Sequence, residues 1–357
     1  MITESAPEVK SAETSPGPAR ILQIGMGFWP AKVLLTAVKS GLFGLLGTSP
    51  LTGKEIKEKL GFHTTDRHVF DWLDALVSMG LLQRLGLLEE AVYSNADESS
   101  LFLDKKSPQY VGGMLEMADN RLYGHWGNLE EGLRSGEPQN EGKGKPNGNM
   151  EFFGELYKDP NKLANFVDAM RGIQTGNFIA LTEKFDFGKY GHFLDLGGAD
   201  GWLSIQICLR HPAIHCSTFD LPPVLPLAKA QIAKFRLSDR IQALAGDFGK
   251  DDIPSAEVIA MGNILHGMDE TSKLHLLKRV YNALPDGGVF MAIENIIDDD
   301  RRQNTFGLLM SLNMLIENGE AFDYSLADFS KWATEAGFAR VELIPLAGPA
   351  SAAIAYK

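Results

Sequence analysis

Phe193-Leu194-Asp195-Leu196-Gly197-Gly198-Ala199-Asp200-Gly201 is the stretch that decides the fold. Apolar residues run into a cluster of glycines, and Trp202–Arg210 then continues with helical spacing. Glycines at such a strand-to-helix turn let the backbone bend tightly and approach a ligand that a Cβ would obstruct. Alone, the turn is compatible with dinucleotides, nucleotides and S-adenosylmethionine alike, or with no ligand at all.

The flanking sequence narrows this. Strands are predicted at His192–Leu196, Ile214–Phe219, Ile241–Ala245, Val258–Met261 and Val289–Ile293, with helical runs between the first three and between the last two. That alternation predicts an α/β fold with a doubly wound parallel sheet, helices on both faces. Asp220 ends the second strand, where a carboxylate can accept from both ribose hydroxyls. Asp247-Phe248 follows the third, where a carboxylate can take an adenine amino proton while the ring packs on the base. Ile205 stands where a third glycine would close a G-x-G-x-x-G run. A nucleoside without a pyrophosphate, such as S-adenosylmethionine, therefore fits better than a dinucleotide.

Upstream, the texture is helical. Trp29–Val38 stops at Gly41, Thr52 caps a helix that ends at Gly61, and Thr65 precedes an amphipathic run ending at Gly80. Leu81–Leu85 and Ala91–Ser94 then read as a hairpin, the order of a winged helix. Asp66, Asp71 and Asp74 on the presumptive recognition helix would repel phosphate. The whole chain has 357 residues, with 34 basic against 46 acidic side chains, a net charge of −12 that argues against a nucleic-acid partner. Two cysteines, Cys208 and Cys216, exclude a disulfide framework and fit a reducing cytoplasm. The polar residues 1–20 read as a disordered tail without a signal-peptide core, and no apolar stretch approaches the ~20 residues of a membrane span.

As an ordered set, LDLGGADG, FDLPPV (Phe219–Val224), GDF (Gly246–Phe248), MGNILHG (Met261–Gly267) and ALPDGG (Ala283–Gly288) resemble the S-adenosylmethionine-dependent small-molecule methyltransferases of the caffeate and hydroxyneurosporene O-methyltransferase type. The pattern along the chain divides it into a winged-helix-like domain over 21–118, a helical connection over 119–184 with a Gly-, Asn- and Pro-rich flexible loop at 135–150, and an α/β domain over 185–357, which the resemblance makes a dimerisation domain and a Rossmann-like methyltransferase domain. The resemblance implies a homodimer, in which Ile24–Trp29 of one copy line the partner's pocket, and S-adenosylmethionine as co-substrate without a metal. Gly197, Gly198, Gly201, Asp220, Leu221, Asp247, Phe248 and Asn263 match its binding positions. His266 matches the catalytic base, Glu294 a carboxylate that orients it, and Asp323 a second acid.

Two departures stand out: Gly267-Met268 replaces Asp-Trp after the histidine, and Gly262 replaces a lysine before it. The acceptor pocket is expected to draw on Met114, Met117, Arg121, Trp126, Met170, Met310, Met314 and Asn318, although methionines also serve as ordinary core filling. Arg121 can pair with an acceptor carboxylate. GGADGWLSIQ and MGNILHG also resemble the bacterial S-methyltransferases of dimethylsulfoniopropionate synthesis, which implies a thioether acceptor, 4-methylthio-2-hydroxybutyrate. Sulfur has no proton to lose, so His266 would then bind the acceptor. The alternative is transfer to a phenolic or enolic hydroxyl with His266 as general base.

Other features have plain readings. His211 and His215 lack a third ligand at metal spacing, and Asp298-Asp299-Asp300-Arg301-Arg302 reads as a solvated loop rather than a magnesium site. A nicotinamide-dependent oxidoreductase and a ligand-binding winged-helix regulator are the competing classes.

Overall fold

The computed structural model describes residues 16–107, 109–144, 154 and 156–357. Most of the expected N-terminal tail, and the part of the 135–150 loop beyond Gly144, lie outside these residues, as do Glu151–Phe153 at the start of the expected helix. The chain divides into two compact units, one ending at Ser100 and one running from Leu101 to Lys357.

The first unit is mainly helical. Phe28–Ser40 ends at Gly41 in the left-handed conformation. Gly53–Leu60 is opened by a capping box between Thr52 and Glu55 and closed by left-handed Gly61. Thr65 caps Asp66–Ser78, whose Val69, Phe70, Leu73 and Leu76 are buried at helical spacing. Strands β1 (Leu51–Thr52), β2 (Leu82–Leu85) and β3 (Val92–Asn95) form an antiparallel sheet in the order β1-β3-β2. Asp74 of Asp66–Ser78 is committed internally, to Arg84 at 2.7 Å and the Tyr93 hydroxyl at 2.9 Å.

Ala19–Ser40 is long and apolar enough to cross a membrane by length and composition, which corrects the expectation that no stretch approaches that length. In the fold it is two helices, Ala19–Gly25 and Phe28–Ser40, and it exposes Ile21, Leu22, Ile24, Met26, Phe28 and Trp29. An apolar surface of this kind is characteristic of a face that another molecule covers.

The second unit holds a seven-stranded sheet. Its strands are β4 (His192–Leu196), β5 (His215–Asp220), β6 (Ile241–Ala245), β7 (Val258–Gly262), β8 (Val289–Glu294), β9 (Arg340–Pro345) and β10 (Ser351–Tyr356), in the order β6-β5-β4-β7-β8-β10-β9. The five N-terminal strands are parallel, within a residue of the sequence expectation. The sheet is nevertheless mixed, because β10 inserts antiparallel between β8 and β9. Strand β8 is buried along its whole length, an apolar VFMAI that ends on a carboxylate.

Both faces of the sheet carry a core. One gathers Leu194, Ile259, Phe290 and Leu277 with Phe329 and Trp332; the other gathers Phe193, Val258, Met291, Leu203 and Ile205 with Leu181. From β4 the chain crosses to β5 on one side, and β7 lies on the other. This is the topological switch point of an open α/β sheet, where the carboxyl edge forms a crevice. The fold is a mainly helical N-terminal unit followed in the chain by a Rossmann-like unit, as the sequence implies.

Candidate active site

Strand register brings the sequence-predicted groups to one edge. Leu196 pairs with Phe219, Asp220 with Ala245, and Gly262 with Ile293, so the turns that follow β4 to β8 open side by side.

The glycine turn is built for close approach. Gly197, Ala199 and Gly201 all have positive φ, of 74°, 48° and 76°. A Cβ on Gly197 would sit 2.1 Å from Ile264 Cδ1, and one on Gly198 would sit 2.3 Å from Thr218 Oγ1 and 2.5 Å from Asp195 Cγ. Asp220 fixes the turn: one carboxylate oxygen accepts from the Ala199 amide at 2.8 Å and the other from its neighbour Leu221 at 2.7 Å. A carboxylate has about four lone-pair sites, so acceptor capacity for a diol remains. Asp247 is exposed enough to pair with Lys250 at 2.8 Å, which holds its carboxyl below the usual range. Phe248 lies against the glycine turn, 3.6 Å from where a Gly197 Cβ would be. Asn263 takes the left-handed conformation, φ 53°, and donates its amide to Ile293. These residues fit a nucleoside: a cradle that a Cβ would fill, a carboxylate beside it, and an aromatic face.

Arg171 and Asp200 extend the site beyond what sequence reasoning named. The long helix Pro160–Lys184 carries Arg171, which reaches Asp200 of the glycine turn at 2.5 Å and Asp168 at 2.6 Å. Beneath the turn, burial and then the charges of Asp220 and Asp200 push Asp195 up to about 8. The folded chain therefore holds a proton there that the unfolded chain releases above ~4. Its stabilising effect is full below that range and is lost as pH rises toward 8. In Asp195→Asn, an uncharged isostere, the gap between urea midpoints at pH 5 and pH 8 narrows; an unchanged gap contradicts this.

The second cluster surrounds His266, which is buried in the short helical turn Leu265–Gly267 after β7. Its Nδ1 lies 3.3 Å from Asp323 Oδ1. Glu294 Oε1 accepts the backbone amides of Ile264 and His266, each at 3.1 Å. The roles thus differ from the sequence expectation: Asp323 holds the imidazole, while Glu294 holds the backbone that carries it. Burial pulls the imidazole down, but the Asp323 hydrogen bond and the charges of Glu294 and Asp323 outweigh it, leaving His266 above its ordinary value. With Nδ1–H donating to Asp323, the free lone pair is on Nε2. Glu294 is itself raised, by burial first and despite His266.

The acceptor-side residues fall on five helical segments of the same unit. Met114 and Met117 lie on Gly112–Met117, which packs on Pro160–Lys184, the carrier of Met170. Thr305–Asn318 presents Met310, Met314 and Asn318 at four-residue spacing, and Asn318 Nδ2 donates to the Gly267 carbonyl at 3.2 Å, next to His266. Trp126 Nε1 donates to Asn313 Oδ1 of that helix at 2.8 Å. Phe178 lies 3.5 Å from where a side chain on Gly262 would begin, so an aromatic ring covers the position of the missing lysine. Arg121, on the π-helical turn Ala118–Leu122, is held by Glu317 at 2.5 Å and by Glu141 at 2.8 Å. Its charge is matched inside the chain, which removes the basis for reading it as a partner of an acceptor carboxylate.

Among the described residues no group of acidic, histidine and cysteine side chains has the arrangement of a metal site. Asp298 instead caps its own loop, accepting the backbone amides of Arg302, Gln303 and Asn304, which hold it at about 2. Cys208 and Cys216 are buried, with their sulfurs 3.4 Å apart.

Known proteins resemble this chain in sequence and fold. A family profile described as an O-methyltransferase domain matches residues 126–339, and one described as an O-methyltransferase dimerisation domain matches residues 22–105. The tetracenomycin polyketide synthesis 8-O-methyl transferase TcmO of Streptomyces glaucescens is 37% identical, over 96% of this chain and 97% of its own. The N,N-dimethyltransferase OxyT of Streptomyces rimosus is 30% identical over 89% of this chain and 90% of its own. The crystal structure of human N-acetylserotonin methyltransferase with bound S-adenosylmethionine superposes with a TM-score of 0.86 at 26% identity, covering 98% of this chain and 99% of that one.

Proposed function

Because this chain belongs to the S-adenosylmethionine-dependent O-methyltransferase family, with its N-terminal dimerisation domain, we propose that it methylates an acidic hydroxyl on a small aromatic, polyketide-like acceptor. The observation that carries this reading is the buried imidazole of His266, held by Asp323 with Nε2 left to take a proton. A thioether acceptor needs no such group. The carboxylate partner that a thioether acid would want, Arg121, is already paired with Glu141 and Glu317. Both points favour oxygen over sulfur, and the polyketide acceptor is suggested by the name of TcmO.

S-adenosylmethionine supplies an electrophilic methyl on a sulfonium. The acceptor oxygen forms a bond to the methyl carbon as the carbon–sulfur bond breaks, and the hydroxyl proton passes to His266 Nε2. S-adenosylhomocysteine and a methyl ether result. The buried Asp323 stabilises the imidazolium, and proton transfer to a positioned base such as His266 contributes about 10²–10⁴ in rate. Methionines on the helices beside the site give the acceptor a soft apolar surface. The exposed apolar side chains of Ile21 to Trp29 suit burial against a second copy of the chain in a homodimer.

The test is transfer from labelled S-adenosylmethionine to a hydroxynaphthoate, a phenylpropanoid acid and 4-methylthio-2-hydroxybutyrate in parallel. A methyl ether from an aromatic hydroxyl is expected. A sulfonium product from the thioether alone would overturn the reading.

A further inference from the structure

Lys273 sits in the first turn of Glu270–Ala283, where a lysine would ordinarily project into water, yet it is fully buried. Its ammonium lies 3.6 Å from the centroid of the Phe322 ring and 5.8 Å from those of Tyr324 and Trp332. It also donates to the Met268 carbonyl. Phe322 and Tyr324 flank Asp323, and Met268 is two residues from His266, so one side chain grips both halves of the His266–Asp323 contact. The acids that face it are Glu294 and Asp323 inside, then Asp269 and Glu270 at the helix start. Those that face His266 are the same two inner carboxylates.

The charges explain why an ammonium belongs there. Glu294 and Asp323 are both buried, and a neutral His266 cancels neither. A lone pair of buried carboxylates would hold the imidazole protonated, and a protonated imidazole cannot accept a proton. We propose that Lys273 is a positioning residue for proton transfer: its aromatic-boxed ammonium offsets the buried acids Glu294 and Asp323, so that His266 can be neutral while Asp323 orients it. Ring faces favour the cation, and the Met268 carbonyl satisfies one of its donors. Burial lowers the lysine to about 8 against the pull of Glu294 and Asp323.

The proposal rests on His266 acting as a base, but its test needs no acceptor. The His266 titration is followed by NMR of histidine-labelled protein, with S-adenosylhomocysteine binding as the check of folding. In Lys273→Met the midpoint rises by about one unit or more, since the positive charge that offsets Glu294 and Asp323 is lost. In Lys273→Arg, which keeps the charge, it stays within a few tenths. A midpoint unmoved in the methionine variant, or moved equally in both, would assign Lys273 to packing and overturn the proposal. Should neither variant bind S-adenosylhomocysteine, a ¹⁵N-lysine spectrum of the unsubstituted protein decides: a charged ammonium at pH 7 is expected, and a neutral amine there refutes the charge balance. Failure on any of these counts leaves the acceptor assay of the preceding section untouched.

Discussion

In His266→Ala, single-turnover methyl transfer at saturating acceptor slows by about 10²–10⁴, the range spanned by loss of a general base. S-adenosylmethionine affinity is expected to be retained, because the glycine turn, Asp220 and Asp247 are held by contacts that do not include the imidazole. The rate of the parent enzyme should rise with pH through a midpoint above the ordinary histidine value of ~6.5, since the Asp323 and Glu294 interactions favour the protonated ring. Below that midpoint the ring is already protonated and transfer is slow; above it Nε2 is free. A variant that binds acceptor more weakly but transfers at the parental rate once saturated would make His266 a binder, as a thioether acceptor requires.

The second large effect is expected at the cradle. Gly198→Ala places a methyl group 2.3 Å from Thr218 Oγ1 and 2.5 Å from the Asp195 carboxyl carbon. Both neighbours are buried on adjacent strands, so neither can move without disturbing the sheet. Overpacking of this kind costs about 1–3 kcal/mol. Where the turn shifts to relieve it, S-adenosylmethionine binding weakens by roughly 5- to 150-fold. Calorimetric titration of Gly198→Ala against the parent measures this. Gly124→Ala, which has nothing within 4 Å of the added carbon, serves as the control that binds normally.

Much of this architecture can be read from the residues because it is local. β4, β7 and β8 are short, mainly apolar runs bounded by helix or turn signals, and β8 announces a buried carboxylate by ending VFMAI on Glu294. The capping box of Thr52 and Glu55 and the left-handed glycines at 41 and 61 set helix boundaries for the same reason. The two C-terminal strands are harder to read. β10 is SAAIAY, rich in alanine of low strand propensity, and acquires its conformation from burial between β8 and β9. β9 alternates weakly at the sheet edge.

The site shows the same divide. The glycine turn, Asp220, Asp247 and His266 follow strand ends, so topology places them together. Partnerships across distant sequence do not show in a pattern. Arg121 and Glu317 are 196 residues apart, and their ion pair reverses the meaning of an arginine that looks free in the sequence. Nothing in the sequence around Lys273 marks it as buried, because Phe322, Tyr324 and Trp332, which close around it, lie about fifty residues or more away. The exchange of roles between Glu294 and Asp323 likewise depends on which carboxylate meets the ring and which meets the backbone.

Proton release per turnover tests the central claim most directly. Methyl transfer from the sulfonium to a neutral hydroxyl ends with one proton in solution, whereas transfer to a thioether moves the positive charge to the product and frees none. With the best acceptor in weakly buffered solution, a pH indicator and S-adenosylhomocysteine quantification give the ratio. One proton for each S-adenosylhomocysteine formed is the expected result. A ratio of zero would contradict the hydroxyl acceptor and the proton-accepting role of His266 together.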